Sequence, residues 1–547
     1  MVFSFLLVSL KIDAILSEIT LSRRRNKLDE MTKGDGLGGA YTETISRIQA
    51  QPGNKSKLGM DVLMWVSHAE RPLHVNELCH ALGVEGSIDL DIQNIPAIET
   101  LLACTLGLVT VEKSSSTVRL VHYTLQEYLS HNSNLFPNPH LMIAEACLTY
   151  LNFPHVRGFS PTLCSVPPTA PFVEYASCYW GTHARWETTE SVKALALKLL
   201  AEYDTHISSR ILSLHSESSW WQSRDRDGTP TGFTRLHCAA YFGCVEIVVA
   251  LLNTNKGDVQ ATDSKGNTAI AWASRRGHEG VVRVLLERSD IDLDKVDRRK
   301  PLSCAAENGH DGVVRILLGL NDVGPNKPDK DRQAILLWAS GRGYSSIVRV
   351  LLEQNDVNPD KSGRWHRTPL SWASGEGNEE VVRMLLERND VNPDKSDRWH
   401  RTPLSWASGE GNEEVVRILL ERNDVNPDKP DRWHRTPLSW ASGKGDGGMV
   451  RMLLERNDVN PNKPDRWHRT PLSWASGGGH EGIVRMLLER NDVNPKRRDL
   501  FGKTPLYWAS RGGHEGVVKV LQERNEANPH TWRRALLRWT SRGHADA

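Results

Sequence analysis

Thr402-Pro-Leu-Ser-Trp-Ala-Ser-Gly-Glu-Gly411, followed by Asn412-Glu-Glu-Val-Val-Arg-Ile-Leu-Leu-Glu-Arg-Asn423, is the stretch from which the fold can be read. Thr402 has the side chain of a helix N-cap. Pro403 stands at the first helical position, where its missing N–H leaves nothing unsatisfied. Leu404, Trp406 and Ala407 give a short helix an apolar face, and the spacing places the Trp in the core. Gly411 supplies a left-handed residue to end that helix. A second helix over 413–422 carries Val415, Val416, Leu419 and Leu420 on one stripe, with Asn423 as its stop. Asn426-Pro-Asp428 then opens an extended loop.

The same phrase starts at Thr368, Thr402, Thr436 and Thr470, each 34 residues after the last. Related copies start at Thr504, Thr268 and Thr234, with weaker ones near Lys300, Ala334 and Ala535. A fixed period of this size means stacked modules, none of which buries a core alone. The order T-P-L, A, G, VV, LL matches the ankyrin consensus and lacks the W-x-x-L-G-x-x-Y pattern of tetratricopeptides. Residues 229–547 are therefore expected to hold about nine full ankyrin units and one truncated unit. Trp recurs in the first helix at Trp272, Trp338, Trp372, Trp406, Trp440, Trp474, Trp508 and Trp539, and is expected to be core throughout.

Upstream, Leu58, Met60, Val62, Leu63 and Val66 suit a buried helix. A second helix follows over 75–82 and a third around 95–104. Leu108-Val-Thr-Val-Glu and Thr117-Val-Arg-Leu-Val then flank Lys113-Ser-Ser-Ser as a β-hairpin. Three helices and a hairpin describe a winged helix over 56–132. Residues 133–228 read as a helical linker with a Pro-rich joint at 160–171. The expected fold is thus mainly α: a winged helix (α/β), a helical linker domain, then an ankyrin α-solenoid.

Trp65-Val-Ser-His-Ala-Glu-Arg-Pro-Leu, Gly107-Leu-Val-Thr-Val and Val121-His-Tyr-Thr-Leu-Gln-Glu-Tyr-Leu resemble the winged-helix segment of fungal NACHT-type (STAND, NLR-like) signalling ATPases. That segment is also catalogued under a GPI inositol-deacylase name. Leu6-Leu-Val-Ser-Leu and Tyr41-Thr-Glu-Thr-Ile-Ser-Arg-Ile resemble the end of the ATPase module in that family, so 1–55 is expected to be its helical remnant. The nucleotide-binding core has no counterpart in this sequence: no G-x-x-x-x-G-K-[ST] follows the Gly-rich turn at 34–39 or occurs elsewhere. No G-x-S-x-G elbow supports a deacylase. The resemblance implies an adaptor or receptor whose partners include full-length NACHT relatives.

Bulk composition agrees with a folded binding protein. The 547 residues are 39% hydrophobic and 25% charged, with a formal net charge of +1, which gives no global field for nucleic acid or membrane. Eight Cys without CxxC spacing suit reduced thiols and carry no zinc signature. The apolar start, MVFSFLLVSL, is too short to span a bilayer. We expect no enzyme activity, no cofactor, no metal and no membrane partner, and a cytoplasmic location, with a nuclear address through Arg23, Arg24 and Arg25 left open. His278-Glu279, His480-Glu481 and His514-Glu515 lack the second His of a zinc motif.

The candidate binding residues precede the repeat Thr: Arg364-Trp365, Arg398-Trp399, Arg432-Trp433 and Arg466-Trp467 open identical Arg-Trp-His-Arg quartets. Arg and Trp are the residue types most enriched at interface hot spots. Three accounts stand: a ladder gripping an extended acidic or aromatic protein partner on the concave face, Trp–Arg stacking that stiffens the array, or simple copying. His366, His400, His434 and His468 occupy a site where Gly266 and Gly502 stand in other copies, so they are strained if φ is positive. A nucleic-acid-binding winged helix is the alternative function. The expected recognition segment, Asp91-Ile-Gln-Asn-Ile-Pro-Ala-Ile-Glu-Thr100, carries acids and no base, which disfavours phosphate contact.

Overall fold

The structure is a computed structural model, and it describes residues 20, 22–23, 36–84, 92–160, 166–217, 232–254, 259–287, 299–319, 335–354, 357–363 and 365–526. Several expectations lie outside these residues: the apolar start, Arg24 and Arg25, the first part of the Gly-rich turn, Asp91, Ala334, Arg364, Ala535 and Trp539. The chain divides into two compact units, 1–296 and 297–547. Helix dominates both, and the described strands form one two-stranded sheet.

In the first unit, α1 (Gly36–Gln49), α2 (Asn54–His68), α3 (Val75–Leu82) and α4 (Ile98–Cys104) precede the hairpin β1 (Val109–Glu112) and β2 (Thr117–Leu120). The strands are antiparallel, with Val109 opposite Leu120 and Glu112 opposite Thr117. Leu73 and Ser116 carbonyls accept from Val118 and Val75 N–H at 2.8 and 3.0 Å, so the chain entering α3 lies beside β2 as a short third rung. This is a winged helix. α2 places Val62, Leu63, Met64 and Trp65 in its core. The Arg71 guanidinium forks onto the buried Glu77 carboxylate at 2.8 and 2.6 Å, and Glu77 also accepts from the His74 N–H, capping α3.

After α5 (Tyr123–His131) come α6 (Pro139–Leu151), α7 (Val173–Ala184), α8 (Glu190–Ala201) and α9 (Ile207–Glu217). The α6–α7 seam is aromatic, with Tyr150, Phe172, Tyr175 and Trp180 wholly buried. His183, also fully buried, bonds His140 Nδ1 at 2.8 Å and the Tyr175 hydroxyl at 2.9 Å. Burial first, then the neighbouring His140, pushes its imidazole down to about 3. Two helix pairs of the repeat follow: Arg235–Phe242 with Val245–Asn253, and Ala269–Arg276 with Glu279–Leu286. Gly181 on α7 lies against the Phe242 ring so closely that a Cβ would collide with it, and its carbonyl accepts from Cys244 Sγ at 3.4 Å. α7 therefore seals the open side of the first repeat.

The second unit stacks seven helix pairs, from Arg299–Glu307 with Asp311–Leu318 to Pro505–Gly512 with Glu515–Glu526. Thr402 Oγ1 accepts from Ser405 N–H at 3.1 Å, and Thr368, Thr436, Thr470 and Thr504 cap in the same way. Gly411 takes φ 94° and closes the first helix. The second helix of that unit, Glu413–Leu420, ends before Asn423; Glu421 is its C-cap, in right-handed conformation. Leu404, Ala407, Val415, Val416 and Leu419 are at most 1% exposed, and their equivalents repeat down the stack. At about 1.5–3 kcal/mol for each large apolar side chain buried, this spine holds the unit together.

Polar lacing joins each copy to the one before it. Asn378 and Asn412 donate Nδ2 to carbonyls of the preceding first helix, Ser340 and Gly341, then Ser374 and Gly375, at 2.9–3.1 Å. His480 and His514 do the same with Nε2 at 3.2 and 3.1 Å, so these His residues serve the stack. Glu380 and Glu414, at second-helix N-termini, meet Arg349 and Arg383 of the previous copy at 3.4 and 3.1 Å.

Candidate functional site: the finger row

The finger loops before Thr268, Thr402, Thr436, Thr470 and Thr504 are each built on a buried Asp five residues before the Thr, whereas Gly363 takes that place before Thr368. Asp397 Oδ1 accepts from the N–H groups of Trp399 and Arg401 at 2.8 and 2.9 Å. Its Oδ2 accepts from the Trp406 indole N–H at 3.1 Å. Asp465 and Asp499 repeat all three contacts, with Trp474 and Trp508 as the indoles. In the first unit, Asp263 makes the corresponding clasp to Trp272. At Asp431 the second oxygen takes Arg435 Nε instead, at 3.0 Å, and the Trp440 indole N–H is left without a partner.

In every one of these fingers, the Gly363 finger included, the chain reverses within four residues through two backbone hydrogen bonds, and the third residue of the quartet turns left-handed. His366, His400, His434 and His468 have φ of 58°, 59°, 60° and 60°, matching Gly266 and Gly502 at 70° and 71°. The four His side chains are exposed. They hold a conformation that costs an L-residue about 1–2 kcal/mol.

Successive fingers are tied by backbone. Arg398 N–H donates to Trp365 O at 3.0 Å, Arg432 to Trp399 at 2.8 Å, Arg466 to Trp433 at 2.8 Å and Leu500 to Trp467 at 2.9 Å. The candidate residues are thereby brought into one rigid row. Arg398, Arg432 and Arg466 are exposed, and their guanidinium groups make no hydrogen bond, ion pair or ring contact among the described residues. Trp399, Trp433 and Trp467 are half-buried, and Trp365 is 38% exposed. Arg364 lies outside the described residues. Leu500 and Phe501 continue the row, 61% and 62% exposed.

Sequence reasoning missed the other Arg of each quartet. Arg367 lies 3.8 Å from the ring centroids of both Trp372 and Trp406. Arg401 sits between Trp406 and Trp440 at 4.6 and 4.7 Å, and Arg469 reaches Trp474 and Trp508 at 5.4 and 4.1 Å. Arg435 lies 3.7 Å over Trp440. Indole and guanidinium thus alternate from Trp372 to Trp440, each such contact worth about 0.5–2 kcal/mol. Burial lowers Arg367 to about 10. The expectation that the first-helix Trp residues are core needs correction. Trp272 is buried, but Trp338, Trp372, Trp406, Trp440, Trp474 and Trp508 are half-buried, and from Trp372 on each has a face toward a finger Arg. Stiffening by Trp–Arg stacking is present, and the inner Arg carries most of it.

On the winged helix, α4 carries Glu99 as its one charged residue, and no Lys or Arg. The hairpin turn holds Lys113 alone. The described Cys residues form no disulfide and are buried. Among the described residues, no three or more His, Cys, Asp or Glu are grouped to hold a metal ion. No described helix is long and apolar enough to cross a membrane.

No curated protein matches the chain. The family described as GPI inositol-deacylase, winged helix domain, matches residues 47–136, which span the helices and hairpin above. The family described as Ankyrin repeats (3 copies) matches 195–297, 236–329, 302–397, 389–465 and 448–531 in overlapping sets. Those sets span more than half of the sequence, and the capped helix pairs, left-handed Gly closures and finger loops within them are what such a match requires, so the chain belongs to the ankyrin-repeat family.

Proposed function

We propose that the chain is a recognition protein which binds a protein partner along the finger row and the adjoining first helices, and that it is not an enzyme. The observation that carries this reading is the set of three exposed, unpartnered guanidinium groups held in register by backbone hydrogen bonds. Elsewhere in the array Arg388, Arg422, Arg456 and Arg490 are each paired with an Asp two residues on, at 2.7–2.9 Å. Arg283 and Arg315, on second helices, are likewise exposed without a partner among the described residues, but the finger Arg residues stand in a row tied by backbone hydrogen bonds. The winged-helix match at 47–136 and the α7 seal on the first repeat support a finer placement: an adaptor or receptor of the NACHT-type, NLR-like signalling class. Buried thiols without a disulfide among the described residues suit a cytoplasmic setting. The base-poor α4 gives a nucleic-acid role for the winged helix no support.

A photo-crosslinking residue placed at His400, and separately at Arg417 on a second helix, tests the reading in the full chain in cells. Discrete protein adducts at position 400 that are missing at 417 are expected. Equal labelling at the two positions, or none at 400, would refute a finger-row partner.

A further inference from the structure

The spacing of the row says what shape of partner it fits. From the Arg398 Cα to the Arg432 Cα the path runs through Trp399, its carbonyl and one 2.8 Å hydrogen bond, which caps the separation at about 10.5 Å. Packed helices stand about 8–10 Å apart, so the rungs repeat at roughly that distance. A polyproline-II chain advances about 9.3 Å in three residues and returns its side chain to the same face. A β-strand covers the same distance in three residues but turns alternate rungs away.

Resting on the finger-row reading above, we propose that Arg398, Arg432 and Arg466 grip an extended polyproline-II segment bearing a carboxylate at every third residue, one per repeat. The half-buried edges of Trp399, Trp433 and Trp467 line the row, and aromatic-lined grooves are the surfaces that accept this helix. A planar guanidinium matches a carboxylate in two-pronged fashion. Single-stranded nucleic acid is the rival polyanion, but it binds by stacking bases on open aromatic faces. Trp433 already carries Arg435 at 4.7 Å and Arg401 at 5.8 Å, and Trp399 leans on Trp365 with centroids 6.4 Å apart.

The test is fluorescence anisotropy at low ionic strength with the full chain and labelled (Glu-Pro-Pro)6. The comparison probes are (Gln-Pro-Pro)6, a shuffled peptide of the same composition, a helical peptide with Glu at every seventh residue, and an 18-nucleotide oligouridine. The variant is R398Q/R432Q/R466Q, checked for unchanged circular dichroism; R383Q/R417Q/R451Q removes three charges from the second-helix face instead. The expected result is saturable binding of (Glu-Pro-Pro)6, at least about fivefold tighter than the shuffled peptide. The finger variant should weaken it about tenfold, three exposed pairs each contributing a modest factor, while the second-helix variant changes it less than about twofold. Equal binding of the shuffled peptide, preference for the helical peptide or oligouridine, or indifference to the finger variant would each overturn the proposal. If the helical peptide wins and is lost in the finger variant, the finger row survives as a protein-binding surface and only the polyproline-II assignment falls. If the finger variant affects no peptide, both readings fall.

Discussion

Changing His366, His400, His434 and His468 together to Gly should stabilise the second unit. Their φ values of 58–60° place all four in the left-handed region, where the Cβ costs about 1–2 kcal/mol. Glycine removes that cost and returns about 0.5–1 kcal/mol through the greater freedom of the unfolded chain. The net gain is about 0.5–1 kcal/mol per site, or about 2–4 kcal/mol for four copies in separate fingers. No described side-chain contact of these His residues is lost in exchange. For a unit of this size, 1 kcal/mol moves the midpoint by about 2–4 °C, so thermal unfolding should shift upward by roughly 4–16 °C. The matched variant with four Ala keeps the Cβ and should stay within about 1 °C of the parent. Melts followed by tryptophan emission and circular dichroism read both. If the Gly and Ala variants melt together, or the Gly variant melts lower, the strain assigned to the fingers is not there.

Asp397→Asn turns one carboxylate oxygen into an N–H₂ facing the Trp406 indole donor, and should cost about 1–3 kcal/mol; an unchanged denaturation midpoint would remove the Asp clasp as an organiser of the finger. Acid should weaken the first unit through His183. Its imidazole, held down to about 3, binds a proton only well below the unfolded value of about 6.5. The unfolded chain is therefore favoured as pH falls from 6.5 toward 3, by about 1.4 kcal/mol per pH unit. Between pH 6.5 and 5, urea unfolding of the parent should lose about 2 kcal/mol more than that of His183→Gln, and identical acid slopes would contradict this.

Much of the repeat was legible because its signals are local. A Thr cap, a Pro at the first helical turn, a left-handed Gly and a paired-valine stripe act within a few residues of one another. The His strain was legible too, since Gly266 and Gly502 mark the demand at the same register. The two Arg of each quartet were not distinguishable from sequence. They lie three residues apart in one loop, and the left-handed His between them decides which faces the indoles and which faces solvent. Trp406 misled for a related reason: the pattern shows an apolar face but not that a guanidinium from the preceding copy, Arg367, covers it. The Asp clasp was visible in hindsight as an Asp five residues before Thr402, Thr436, Thr470 and Thr504.

The Trp–Arg column has an evolutionary corollary. Where the column is continuous, each copy supplies one indole and one guanidinium and borrows a neighbour's for the other side, so the Trp372, Trp406 and Trp440 copies meet across the same junction. Unequal recombination that gains or drops 34 residues re-creates that junction without a compensating mutation. Receptor length is then a heritable variable that selection can adjust in whole steps, each adding or deleting one contact point for whatever the protein recognises.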